Sequence, residues 1–173
     1  MRRYVLTYGL IAGVILSVLM VISMSMHDRI GFDRGMIVGY TTMVIAFLMI
    51  FFGVKAYRDN VHPEGLSFGR AFATGLLISF VATACYVATW QVVYRTMMPD
   101  YMEKYSTYTL EKSRAAGASE AELAAEAKKM AEFGEMYKNP LVNVAFTFLE
   151  PLPVGLLMSL VTAGALRRKK GVR

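Results

Sequence analysis

The sequence predicts an all-α integral membrane protein, a four-helix bundle with an extracytoplasmic helical hairpin between its third and fourth spans. Three observations carry that prediction. Of 173 residues, 55% are hydrophobic and only 18% are charged, against about 25% charged in soluble domains. A soluble chain this small has too much surface to hide so many apolar side chains. Four stretches are long and apolar enough to cross a bilayer as helices, which takes ~20 residues each. Lysines and arginines gather at alternating ends of those stretches, as they do where a membrane sorts loops by charge. The composition also excludes intrinsic disorder. A single cysteine excludes a disulfide framework or a multi-cysteine zinc site. Barrel strands are excluded because they run ~10 residues and alternate in polarity.

The first span covers residues 4–26 and carries no formal charge. The opening MRR resembles a secretion signal, but a signal's apolar core is only about 7–15 residues and ends at a small-x-small site. Here the run is longer and leads into His27-Asp28-Arg29, so an uncleaved first span is expected. The second span covers 35–54, the third 71–94 and the fourth 141–166, the last interrupted by Glu150, Pro151 and Pro153.

Charge then sets the orientation. Ten basic residues fall in three short segments: Arg2 and Arg3; Lys55, Arg58 and Arg70; and Arg167, Arg168, Lys169, Lys170 and Arg173. The first loop has Arg29 and Arg34 balanced by Asp28 and Asp33, and residues 95–140 hold seven basic against eight acidic side chains. Both termini are therefore expected in the cytoplasm, with the first and third loops outside and the chain in a bacterial inner membrane. The net charge of +6 reads as this topology bias, and nucleic acid is not an expected partner. The RRKK tail holds the C-terminus inside and meets anionic headgroups. Aromatic residues agree: Tyr4, Tyr8, Phe51, Phe52 and Tyr57 mark inner span ends, and Trp90 and Tyr94 an outer one, as anchoring rings do at headgroup level.

The third loop predicts a helical hairpin over about 99–138. Ser119 and Glu122 form a capping box. Behind it Leu123, Ala127, Met130, Gly134 and Tyr137 recur at steps of four and three, one apolar stripe, until Asn139-Pro140 ends the helix. Upstream, Pro99 starts a second helix carrying Tyr101, Tyr105, Tyr108 and Lys112 on one face, and Ala116-Gly117-Ala118 makes the turn. Two readings of this face stay open. Either the two stripes pack together, or Tyr101, Tyr105 and Tyr108 dock a partner protein.

Glu150 is the residue singled out for chemistry. The fourth span cannot begin after it, because 154–166 is only 13 residues, too few to cross. A carboxylate at membrane depth costs a few kcal/mol even on the gentlest insertion scale, so it should face the bundle interior, be protonated, or have a polar partner. Pro151 and Pro153 remove the backbone bonds to Thr147 and Leu149 and should kink or break the span. Counted from the outer surface, Thr41, Thr42, Tyr86, Thr89 and Gln91 share its depth, together with Ser17 or Ser23. These predict a buried polar layer with Glu150 bonded to one of the hydroxyls. It reads either as a proton or cation relay or as a satisfied contact at a kink.

Small-residue pairs, Gly9-x-x-x-Gly13, Gly35-x-x-x-Gly39 and Gly155-x-x-x-Ser159, mark close helix approach. His27 and His62 fall on opposite sides of the membrane, so no metal site is expected. Cys85 reads as a small buried hydrophobe. No cofactor is expected either, since no phosphate-binding loop, dinucleotide fingerprint or nucleophile elbow occurs.

The chain resembles a bacterial family of uncharacterised four-span membrane proteins, a domain of unknown function. The resemblance rests on YGLIAG, FFGVKAYRDN, SFGRAF, Tyr86-x-x-x-Trp90, PDYMEKYSTYTLEKSRAAGASEAE and MYKNPLVNVAFTFLEPLPVGL. It implies the architecture and an inner-membrane location, and carries no activity, cofactor or catalytic residues with it. The leading expectation is a non-enzymatic structural, accessory or complex-subunit role. The alternative is a small oligomeric transporter, or a proton- or cation-conducting protein, using Glu150. GLIAG at Gly9 against GLLIS at Gly75 hints at a parallel duplication that would suit it. An intramembrane enzyme comes third. A wet cavity reaching Glu150 from one side would favour transport, and a dry packed bundle the accessory role.

Overall fold

A computed structural model describes residues 1–167; the expected basic tail at Arg168, Lys169, Lys170 and Arg173 lies outside the described residues. The chain forms α1 (Arg2–Ser25), α2 (His27–Val61), α3 (Phe68–Thr96), α4 (Tyr101–Ala115), α5 (Glu120–Tyr137), α6 (Pro140–Leu149) and α7 (Leu152–Leu166). No strand occurs among the described residues. Helices α1, α2, α3 and the α6–α7 pair are the four elements long and apolar enough to cross a membrane.

The first loop differs from its expected form. Residues 27–34 are absorbed into α2, and the turn between the first two spans is made at Met26 and at Gly31, whose φ of 71° and ψ of 170° break the helix. Glycine takes that conformation without a Cβ clash, so the turn needs almost no loop. At its far end α2 runs on to Val61. Beyond the Gly31 break, residues 32–61 reach ~45 Å at 1.5 Å each, well beyond the hydrocarbon core. Ser67 caps α3 by accepting from the Arg70 amide at 3.4 Å.

The expected breaks are present. The fourth span divides at Glu150-Pro151 into α6 and α7, where the two prolines remove backbone donors. Asn139 caps α6 through its side chain, with Pro140 in the first turn. Ser119 and Glu122 close both halves of the capping box at the start of α5. Gly117, at φ 90°, turns the chain between α4 and α5, and the Ala118 amide reaches back to the Ser113 carbonyl at 3.1 Å.

Packing is tightest away from the hairpin. There α1 lies between α2 and α3, and α7 packs on α2 and α3 from the other side. Phe47, Ile50 and Val54 of α2, Ala12 of α1, Ile78 of α3 and Ala163 of α7 are completely buried in one core. A Cβ on Gly9 would stand 2.6 Å from Val81, and one on Gly13 2.7 Å from Cys85, so this glycine pair seats α1 against α3. Gly155 meets Ser79 and Gly75 meets Ser159 at the α3–α7 crossing. Gly35 and Gly39 touch nothing. At the hairpin end α6 leans on α3 and α5, through Phe80–Phe148 stacking at 5.9 Å and an edge contact of Phe133 with Phe146 at 5.3 Å.

Candidate intramembrane site

Because α6 leans toward α3 and α5 while the first half of α2 stands off, the hairpin end of the bundle contains a cavity of about 440 Å³. Its floor is Glu150, at the break between α6 and α7. Its walls come from Met20 and Met24 of α1, Met36 and Tyr40 of α2, and Tyr86 of α3. The roof is α4, whose Tyr101, Tyr105, Tyr108 and Lys112 all line it. Glu150 lines this space and is exposed, where a buried polar layer was expected. A second cavity of about 270 Å³, on the α5–α6 side of Tyr101 and Tyr105, also reaches Glu150.

The Tyr86 hydroxyl donates to Glu150 Oε2 at 2.9 Å. The expected bond between Glu150 and a hydroxyl of its own depth is therefore made, and by the ring of α3. The rest of the expected layer separates into independent contacts. The Thr89 and Ser17 hydroxyls pair at 2.7 Å, joining α3 to α1, and Thr89 Oγ1 also lies 2.9 Å from the Cys85 carbonyl one turn back. Gln91 donates to Asn143 Oδ1 at 2.6 Å, joining α3 to α6.

Thr41 and Thr42 do not join Glu150. Each hydroxyl closes on its own helix, Thr41 to the Ile37 carbonyl and Thr42 to the Gly39 carbonyl, both at 2.7 Å. The reason is lateral: their half of α2 is separated from α6 by the cavity, and a threonine in a helix has a carbonyl one turn back within reach. Equal depth placed Thr41 and Thr42 beside Glu150 in the sequence reading, and the open side of the bundle removes them.

Two groups went unseen in the sequence. Asn143 is buried and accepts from Gln91, and Thr147 bonds its carbonyl at 2.8 Å. With Glu150 these residues recur at steps of four and three along the fourth span, and that polar stripe was the missed signal. The other group is the clamp on the roof. Asp33, just after the Gly31 break, accepts from Tyr108 and, at 2.6 Å, from Lys112. Lys104 pairs with Asp28 at 3.5 Å and with Asp100 at 3.1 Å. Charge counting had balanced Asp28 and Asp33 against Arg29 and Arg34, whereas their partners lie on α4.

The tyrosine face of α4 is turned inward. Phe32 touches the rings of Tyr101, Tyr105 and Tyr108 at centroid distances of 5.8, 5.5 and 5.0 Å. Trp90 meets Tyr101 edge-on at 5.1 Å and donates its indole N–H to Tyr137 at 3.0 Å. Helix α4 meets α5 with another side, bearing Met102 and Ser106. Burial, with the Glu150 charge next, pushes the Tyr101 phenol above the usual tyrosine range, so Tyr101 stays a neutral ring. Its bonds to Asp33 and Tyr108 push Lys112 above the usual lysine range, so the rim keeps a cation already paired with a carboxylate. His27 lines the same cavity, while His62 lies at the far end of α2, bonded to Tyr57 at 3.1 Å. Among the described residues no three of His, Cys, Asp and Glu converge as metal ligands. The site's chemistry is thus that of one carboxylate and its phenol donor at the bottom of an aromatic, methionine-lined space.

A family model described as a protein of unknown function, DUF4199, matches residues 7–168. No curated protein and no solved structure matches the chain.

Proposed function

This chain belongs to the DUF4199 family of proteins of unknown function, and from that premise we propose a small transporter, or a proton- or cation-conducting membrane protein, that works through Glu150. The observation that carries the reading is the cavity that runs from Lys112 and Ser113 at the hairpin down to the Glu150–Tyr86 pair. A carboxylate at membrane depth is costly, and one serving only to satisfy a kink would sit in packed surroundings. Here it keeps open space beside it. In this reading Glu150 binds the proton or cation, and Tyr86 holds the carboxylate toward the cavity. The role stays non-enzymatic, a matter of binding and release.

The proposed placement is an inner membrane with both termini cytoplasmic, so that the cavity faces outward. Arg2 and Arg3, the α2–α3 loop and Arg167 share one end of the bundle, and Arg167 bridges to Leu66 there. The charge bias of the sequence supports calling that end cytoplasmic. The core around Phe47, Ile50 and Val54 closes the half below Glu150, so the proposed working unit is a homo-oligomer or a protomer with a second conformation. The test is proton flux into liposomes holding the purified full chain, driven by an imposed membrane potential. Wild type should conduct, and Glu150→Gln should fall to the level of empty liposomes. Equal proton flux in wild type and empty vesicles would sink proton conduction, and equal flux of cations as well would sink the reading.

The accessory-subunit reading keeps one specific support. A groove of about 800 Å³ runs between α4 and α5, lined by Met102, Ser106, Met130 and Gly134 among others. With the tyrosines turned inward, a protein partner of the hairpin would meet this groove. A stoichiometric partner that co-purifies with wild type and is lost in Met130→Glu would favour that role.

A further inference from the structure

The cavity's lining restricts what Glu150 can receive. We infer that the ligand of this site is a lipophilic organic monocation, an amine or quaternary ammonium with an apolar body, held by Glu150 and by the rings of Tyr86, Tyr101 and Tyr105. The inference rests on the reading of Glu150 as a binding carboxylate and gives that reading its substrate class.

Four classes of ligand can be compared. An anion would meet the Glu150 carboxylate, while the ammonium that could attract it, Lys112, is bound at 2.6 Å to Asp33. A neutral lipid tail would fill the apolar walls and leave the carboxylate desolvated without a partner, which is unfavourable. A divalent metal ion takes six or more oxygen ligands when it is calcium or magnesium, and Glu150 is the one carboxylate on the cavity floor. An organic monocation suits the carboxylate, the rings and the thioethers of the lining. Its charge pairs with Glu150. Its alkyl or aryl body lies against aromatic faces, which attract cations through the ring quadrupole, and against Met20, Met24 and Met36, whose thioethers adapt to irregular shapes. The volume of about 440 Å³ suits a compact ligand, since small-molecule sites span roughly 300–1,000 Å³. At the rim the lining residues Tyr108 and Lys112 both bond to Asp33, so the entrance carries no unpaired positive charge from Lys112.

The chain supplies its own reporter. Trp90 is its single tryptophan, and its ring lies 5.1 Å from Tyr101 on the cavity roof. The experiment measures binding of tetraphenylphosphonium to the detergent-purified full chain, by equilibrium dialysis and by Trp90 fluorescence. Tetraphenylborate serves as an anion of the same shape. Wild type should bind the phosphonium and change Trp90 emission, and the borate should neither bind nor compete. Glu150→Gln should weaken binding by at least about tenfold. Tyr101→Leu should weaken it by several-fold and Tyr101→Phe should not, because the ring and not the hydroxyl makes the contact. Circular dichroism of each variant shows that it is folded, and Glu150→Asp, which keeps the charge, should retain most binding. Equal affinity for phosphonium and borate, or equal phosphonium affinity in wild type and a folded Glu150→Gln, would overturn the inference. Glu150-dependent proton flux without phosphonium binding would overturn this inference and leave the proposed function standing. Glu150-dependent binding without flux of proton or phosphonium would confirm the ligand class and overturn transport.

Discussion

Helix α2 passes through two different environments, and its halves are alike in sequence character and opposite in role. From Met43 to Tyr57 it carries buried residues one or two per turn, with Phe47, Ile50 and Val54 completely enclosed by α1, α3 and α7. From Met36 to Tyr40 it is just as apolar, yet Met36 is 60% and Ile37 69% exposed within the chain. A soluble helix exposing such residues would be read as an error or an interface. In a membrane, lipid covers them at no cost, so hydrophobicity no longer says which face is inside. What separates the halves is whether small residues let a neighbour close in. Gly53 would bring a Cβ within 2.6 Å of Ile78, whereas Gly39 meets nothing. The tight half is a scaffold, and the loose half leaves the space above Glu150.

That contrast can be broken at its strongest point first. Phe47→Ala should destabilise the fold by about 3–5 kcal/mol, the usual cost of deleting a buried aromatic. Tyr40→Ala, in the loose half, should cost less than about 1 kcal/mol. Denaturant unfolding in micelles, followed by circular dichroism, separates the two, and similar losses would mean that the halves are equally packed. A smaller effect is expected at the glycine pairs. Gly13→Leu drives a side chain into Cys85 and should cost about 1–3 kcal/mol or more. Gly39→Ala should be neutral or stabilise by up to about 1 kcal/mol, because alanine in an uncrowded helix loses less entropy. A destabilising Gly39→Ala would show that this face is covered by another copy or by α6. The smallest effect belongs to the hairpin, outside both halves. The Ser119 amide and hydroxyl, both donated to Glu122, hold its carboxyl below the usual glutamate range. A carboxyl lowered in the folded state contributes stability above its unfolded pKa and loses it as pH falls through the folded value. The protection of the first-turn amides of α5, measured as exchange relative to the intrinsic rate at each pH, should therefore fall on acidification in wild type. Glu122→Gln should remove that dependence.

How much was legible follows the range of each interaction. The four long apolar helices, the capping box at Ser119, the break at Pro151 and the turn at Gly117 all depend on neighbours within about a turn, and all are present, though α2 is longer than expected. The absorbed first loop escaped because Gly31 alone does the turning, and a lone glycine among apolar residues gives no sign of its φ. The Glu150–Tyr86 bond was legible in part: depth counting named Tyr86, but it named Thr41 and Thr42 equally. Asn143 was readable from the spacing of polar residues along the fourth span and was passed over. The clamp of Asp33 on Tyr108 and Lys112 spans 75 and 79 residues, beyond any local pattern.

The amino-acid sequence by itself determined that the chain is helical, that it has four segments long and apolar enough to cross a membrane, and that an acidic residue interrupts the last. Each of these is decided within one segment, because a backbone in lipid must bond to itself and a charge in lipid must find a partner. Only the tertiary structure decided which partner and which cavity. Two glycine pairs of identical spacing, at Gly9–Gly13 and Gly35–Gly39, meet respectively a crowded α3 and open space. The difference lies in how the helices rotate and lean against one another, a property of the whole set of contacts. The same leaning put Thr89 against Ser17, left Thr41 bonded to its own helix, and opened the space that ends at Glu150.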